Sequence, residues 1–318
     1  MFALSLINCK FAASNKKKYI VIMLNNNNHI LVPMDFSEQA LIALDQSYNL
    51  ARLTRADITL LYVLDEEQSK FFSIFSKETK RKTEEKKFNK AIKEKLDALA
   101  KDIMNKAGIH IFTRIEQGKI YDCIVDVANE LKAIFIIMGT NGQHGLKKKF
   151  IGSNALRVVK EANCPVITIA GKKHRAGCKV IVLPLDLSQE TKEKVGSAIE
   201  FANHFGSAIN IVSVINTNDE LIVKKYSTQM KQVAAFIKKH NIVVHTEFVK
   251  DSNVLDGILK YSKKAKADLI MIMTQSEMDW TDMFIGSTAQ EIINNSVVPV
   301  LSIHPMDKPE ESVIPYSF

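Results

Sequence analysis

Apolar residues along this chain alternate between short unbroken runs and longer stretches at helical spacing. HILVPMD (29–35) reads as a short buried strand. Ser37 then opens a helix in which Leu41, Leu44, Tyr48 and Leu50 mark the inward side. DITLLYVL (57–64) is a second strand. From about Thr79 a long helix is predicted, with Phe88, Ile92, Leu96 and Leu99 facing inward. IHIFTRIE (109–116) gives a third strand before Gly118. Ile120, Ile124, Val127, Ala128 and Leu131 give a helix, and residues 134–138 a fourth strand. After a glycine-bearing loop, a helix beginning near Ser153 with Leu156, Val158 and Val159 leads through Pro165 to a fifth strand, VITIA (166–170). Strands alternating with helices point to parallel pairing.

Past the polar stretch GKKHRAGC (171–178) the plan repeats. Pro33, Asp35 and Ser37 recur 151 residues on as Pro184, Asp186 and Ser188. Later landmarks recur at 134: Asp122 with Asp256, FIGS (150–153) with FIGS (284–287), Pro165 with Pro299. The missing 17 residues are expected near 216–241, in a shortened second crossover. The fold class is therefore α/β: two tandem, open-twisted, mainly parallel five-stranded sheets flanked by helices. The expected boundaries are 29–171 and 179–304, with an irregular extension over 1–28 and a tail over 305–318.

Composition narrows the function. The chain has 318 residues, 46% hydrophobic and 25% charged, within the globular range. Its net charge of +8 comes from Lys and Arg mixed with Glu and Asp. Residues 66–107, for instance, carry twelve Lys or Arg against eight Asp or Glu. Such mixing describes a solvated surface rather than a nucleic-acid face. No run of 18 apolar residues predicts a membrane span. Cys9, Cys123, Cys164 and Cys178 show no metal spacing, and Cys123 and Cys164, among apolar residues, read as buried, reduced thiols of a cytoplasmic protein.

The chemistry concentrates in the loop after the fourth strand, where Met138 leads into Gly139-x2-Gly142-x9-Gly152-Ser153-Asn154. Glycines let backbone N–H groups approach a ligand, and the following helix start presents unpaired donors and partial positive charge. Such a segment favours an anion. Neither G-x-x-x-x-G-K-[ST] nor G-x-G-x-x-G is present.

The spacing G-x2-G-x9-G-[ST], at this point of the fold, closely resembles the ATP-binding loop of the universal stress protein family. The resemblance spans about residues 29–304 and implies a Rossmann-like, adenine nucleotide alpha hydrolase-like fold. It implies that Gly139, Gly142, Gly152, Ser153 and Asn154 hold the phosphates and ribose. Asp35, with Pro33 and Met34 beside it, then meets the adenine, and Val63 and Met138 complete the pocket. The ligand is ATP or another adenine nucleotide, with or without Mg. The resemblance also implies an intramolecular pseudo-dimer through the last strands of the two halves, with room for a further homodimer.

The second copy departs at the loop. Gly139 becomes Met273 and Gly142 becomes Ser276, and Glu277, Asp279 and Asp282 add negative charge to a loop that in the first copy carries Lys147, Lys148 and Lys149. The first domain is therefore expected to bind nucleotide, and the second to bind none or to bind something else. His144 has no carboxylate partner at an evident spacing, and His240 with His245 lacks further metal ligands, so no catalytic residue is assigned. The expected function is a nucleotide-binding stress-response module. A slow ATPase and a nucleotide-independent scaffold are the alternatives.

Overall fold

The computed structural model describes residues 28–65, 78–140, 151–170, 177–186, 191–274 and 287–303. The first half runs β1 (His29–Pro33), α1 (Glu38–Thr54), β2 (Asp57–Asp65), α2 (Glu78–Ala107), β3 (Ile111–Gly118), α3 (Ile120–Glu130), β4 (Phe135–Gly139), α4 (Ser153–Glu161) and β5 (Val166–Ile169). The second runs β6 (Val180–Pro184), α5 (Thr191–Phe205), β7 (Ala208–Ile215), α6 (Glu220–Lys238), β8 (Val244–Lys250), α7 (Val254–Lys264), β9 (Leu269–Met273), α8 (Ser287–Asn295) and β10 (Val300–Ile303). The connector between β2 and β3 is 45 residues and that between β7 and β8 is 28, so the 17-residue difference falls where the sequence repeat required it.

The halves share one ten-stranded sheet in the order β3-β2-β1-β4-β5-β10-β9-β6-β7-β8. Every pairing is parallel except β5 with β10, which run antiparallel and place Ile167 opposite Leu301. Central strands are buried on both faces and read as continuous apolar runs, as in β4 and β9.

Each face carries one apolar cluster that crosses from half to half. On one face α1, α2, α5 and α6 bury Leu44, Leu96, Phe201 and Ile237; on the other α3, α4, α7 and α8 bury Ile124, Val158, Ile258 and Ile293. Phe135 of β4, fully buried, meets Phe201 and Phe205 of α5 at ring-centroid distances of 6.2 and 6.1 Å. The joint between the halves is thus a packed core as well as a strand pair.

Two inward assignments differ from the periodicity. Leu41 and Phe88 are exposed, at 42% and 45%. Leu41 sits in the first turn of α1 and Phe88 in the amino-terminal part of the 30-residue α2, eight residues before the deeply buried Leu96. A helix much longer than the five- to nine-residue strands beneath it has no sheet to pack against at its far end.

Candidate functional site

β1 lies between β2 and β4, so the chain leaves β1 toward one side of the sheet and returns through β4 on the other. Such a reversal of strand order opens a crevice at the carboxyl ends of the two strands. Pairing of β1 with β4 covers only Ile30 with Phe135 and Leu31 with Ile136, so these two strands part before Pro33 and Gly139, which stay paired to Leu61 of β2 and Ile169 of β5.

The first wall is the turn after β1. Met34, buried, donates its amide to Leu61 O at 2.8 Å. Asp35 accepts the Ser37 amide at 2.9 Å, and Ser37 Oγ accepts from Ala40 N at 3.2 Å as the cap of α1. The carboxylate therefore fixes the turn that starts the helix, the structural duty expected of an Asx turn. Phe36 between them is held at φ 62°, in the left-handed region. Its ring lies 5.8 Å from that of Tyr62 on β2, and Lys95 of α2 places its ammonium 3.9 Å from the Phe36 centroid. Burial, and then the Asp35 charge, raise the Tyr62 phenol above its ordinary pKa, so it stays protonated. Val63, next on β2, is half-buried against the α3 and α4 cluster, and Met138 is buried in that same cluster at the end of β4. Sequence reasoning missed Phe36, Tyr62 and Lys95. Phe36 adjoins Asp35 and Tyr62 adjoins Val63, and that adjacency is the signal the sequence held for the first two.

The start of α4 lies beside the end of β4. Gly152 is its cap, extended at φ −61° and ψ 145°, and being glycine it offers no side chain to the first-turn amides. Its own N–H donates to Thr140 O at 2.7 Å, and a Cβ there would stand 3.1 Å from that same oxygen. Gly152 thus brings the helix start close to the end of β4, and the donors left for a ligand belong to Ser153, exposed, and Asn154, half-buried, rather than to Gly152.

Gly139 also has a packing role. A Cβ at this position would lie 2.8 Å from Gln39 Cβ and 3.3 Å from Ala40 N, so its bareness admits the first turn of α1. Gln39 adds to this close approach by donating to Ala170 O at 2.9 Å and meeting the Thr140 hydroxyl at 3.2 Å. The strand end, the start of α1 and the end of β5 are tied at one point.

Gly142, His144 and Lys147, Lys148 and Lys149 lie outside the described residues, as do Ser276, Glu277, Asp279 and Asp282. In the second half, Thr274 N bonds Ile303 O at 3.2 Å, as Thr140 N bonds Ile169 O at 2.9 Å. The frame is common to both halves, but Met273 stands at the position of Gly139 and Ser213 at that of Tyr62. Among the described residues no three His, Cys, Asp or Glu side chains gather into a metal site. His240 Nδ1 bonds Phe236 O at 3.0 Å at the end of α6, and His245 is exposed on β8. No described helix is long and apolar enough to cross a membrane.

The universal stress protein family model matches residues 26–170 and again 177–304. The chain belongs to the universal stress protein family. It is 33% identical over 155 residues to universal stress protein MJ0577 of Methanocaldococcus jannaschii, covering 45% of this chain and 94% of that one. With universal stress protein MJ0531 of the same organism it shares 32% over 147 residues, 45% of this chain and 82% of the relative. A universal stress protein from Archaeoglobus fulgidus superposes over 88% of this chain and 99% of its own with a TM-score of 0.67, at 19% identity, a likeness of fold.

Proposed function

We propose that the first half binds an adenine nucleotide, ATP or a close relative, and that the protein works as a nucleotide-dependent binding module. The observation that carries this is the amino end of α4. It begins beside the end of β4, where Gly152 N–H meets Thr140 O, and its glycine cap offers no side chain to the first-turn amides. Exposed helix-start amides with the helix dipole behind them attract phosphate. Asp35, Pro33, Met34, Val63 and Met138 lie at the carboxyl ends of the three adjoining strands, where the base would sit, with Gly139 closing the floor.

Family membership supports the same ligand class. Phosphate charge would be met by the α4 amides, Ser153 and Asn154, and by the loop residues 141–150. Mg, if carried in with the nucleotide, would offset the remaining phosphate charge. The second half keeps the strand frame but replaces two loop glycines and reverses the loop's charge, so a single nucleotide per chain is expected. The β5 to β10 pairing reads as an internal pseudo-dimer of two stress-protein units, with boundaries at 29–171 and 179–304.

The test is mass spectrometry of small molecules released from the purified full chain, before and after long incubation with magnesium. Intact ATP in both samples supports a binding module. Steady conversion to ADP would make the protein a slow ATPase, and absence of any adenine nucleotide would overturn the reading.

A further inference from the structure

The amide of Ile151, immediately before the cap of α4, donates to Asn294 Oδ1 at 2.9 Å. Asn294 lies 143 residues further on, near the end of α8 in the other half of the molecule. The segment entering α4 is thereby held at two successive amides: Ile151 by Asn294 across the joint, and Gly152 by Thr140 from within its own half. Both bonds precede the donors of Ser153 and Asn154. They fix where those donors point without using them.

The two counterparts of Asn294 and Ile151 differ in chemistry. The repeat offset of 134 relates Ile151 to Ile285 and Asn294 to Lys160. A lysine ammonium has donors only, so Lys160 cannot accept from the backbone of the second loop as Asn294 accepts from the first. The half that has lost its loop glycines is the half that supplies the acceptor.

We propose that Asn294 is a positioning residue for the first-half nucleotide site, and that holding this loop is a duty the second half has kept. The proposal rests on the nucleotide reading above for its effect on affinity, and on the Ile151 bond alone for its structural part. Truncation at Asn294 frees the Ile151 amide, and the entry to α4 then samples positions in which its first donors no longer converge.

Two readouts on the full chain decide it: amide exchange at Ile151 without ligand, and calorimetric titration with ATP. In Asn294→Ala, Ile151 exchange accelerates and the ATP dissociation constant rises, each by about five-fold, the factor that one net hydrogen bond supplies. Asn294→Asp keeps a carboxyl oxygen at the same reach and restores Ile151 protection. Asn294→Lys, which copies the first-half counterpart, behaves as the alanine variant in exchange. Unchanged Ile151 exchange in Asn294→Ala overturns the structural part. Unchanged ATP affinity in a variant with lost protection overturns the coupling, while the nucleotide reading stands. A wild type that binds no ATP overturns the nucleotide reading and the coupling together, and Ile151 exchange still decides whether Asn294 holds the loop.

Discussion

The amide of Gly152 donates to the carbonyl of Thr140 at 2.7 Å, closing the distance between the end of β4 and the start of α4. A side chain at 152 would stand 3.1 Å from that oxygen, so the two segments must part slightly to admit one. We expect Gly152→Ala to weaken ATP binding about ten-fold or more. Its stability should fall by about 1 kcal/mol, the lower end for inserting a methyl into a filled site. Titration calorimetry and thermal unfolding read the two effects separately.

Gly139 should be less tolerant than Gly152. Its added Cβ would meet Gln39 Cβ at 2.8 Å, with backbone atoms of α1 just behind, so neither neighbour yields by turning a flexible end. Gly139→Ala is expected to cost about 1 to 3 kcal/mol in urea unfolding. Met273→Ala, at the same point of the second half but only partly buried, should cost less. Equal costs at the two positions would remove the packing role assigned to Gly139.

Phe135 tests the joint. It is fully buried in the first half, yet its ring neighbours Phe201 and Phe205 belong to the second. Phe135→Ala should lose about 3 to 5 kcal/mol. Because the lost contacts span the halves, unfolding should also broaden or split into two transitions, as followed by circular dichroism and by the fluorescence of Trp280. A loss with cooperativity intact would place the coupling in the β5 to β10 strand pair alone.

Alkaline stability should depend on Cys178. Burial, with the Asp268 charge second, pushes its thiol from 9.0 up to about 12. Between those values the unfolded chain has released the proton and the folded chain keeps it. Stability therefore falls as pH rises from about 9, by up to about 1.4 kcal/mol per pH unit for this group. Cys178→Ala should flatten that decline in urea unfolding at pH 8 to 10.5, whatever it does to stability at pH 8. An unchanged slope would contradict the assignment.

Much of the architecture was legible because it is written locally. Unbroken apolar runs gave the buried strands, Ser37 marked the start of α1, and subtraction between Asp35 and Asp186, then Gly152 and Gly286, exposed the repeat and its shortened crossover. What stayed hidden depends on distant neighbours. The close approach of Gln39 to Gly139 shows only in three dimensions. Phe88 fits the helical period but lies beyond the reach of the sheet. Asn294 carries no motif at all; its signal was the mismatch with Lys160 at the repeat offset, which has meaning only once Ile151 is seen beside it. Lys95 reaches Phe36 from a helix whose register over the site no local pattern sets.

The central claim, one nucleotide held by the first half alone, is tested most directly by calorimetric titration of the full chain with ATP, in wild type and in the matched variants Asp35→Ala and Asp186→Ala. We predict one equivalent per chain, abolished or weakened at least about ten-fold by Asp35→Ala and unchanged by Asp186→Ala. Two equivalents, or binding that survives Asp35→Ala and fails in Asp186→Ala, would contradict it.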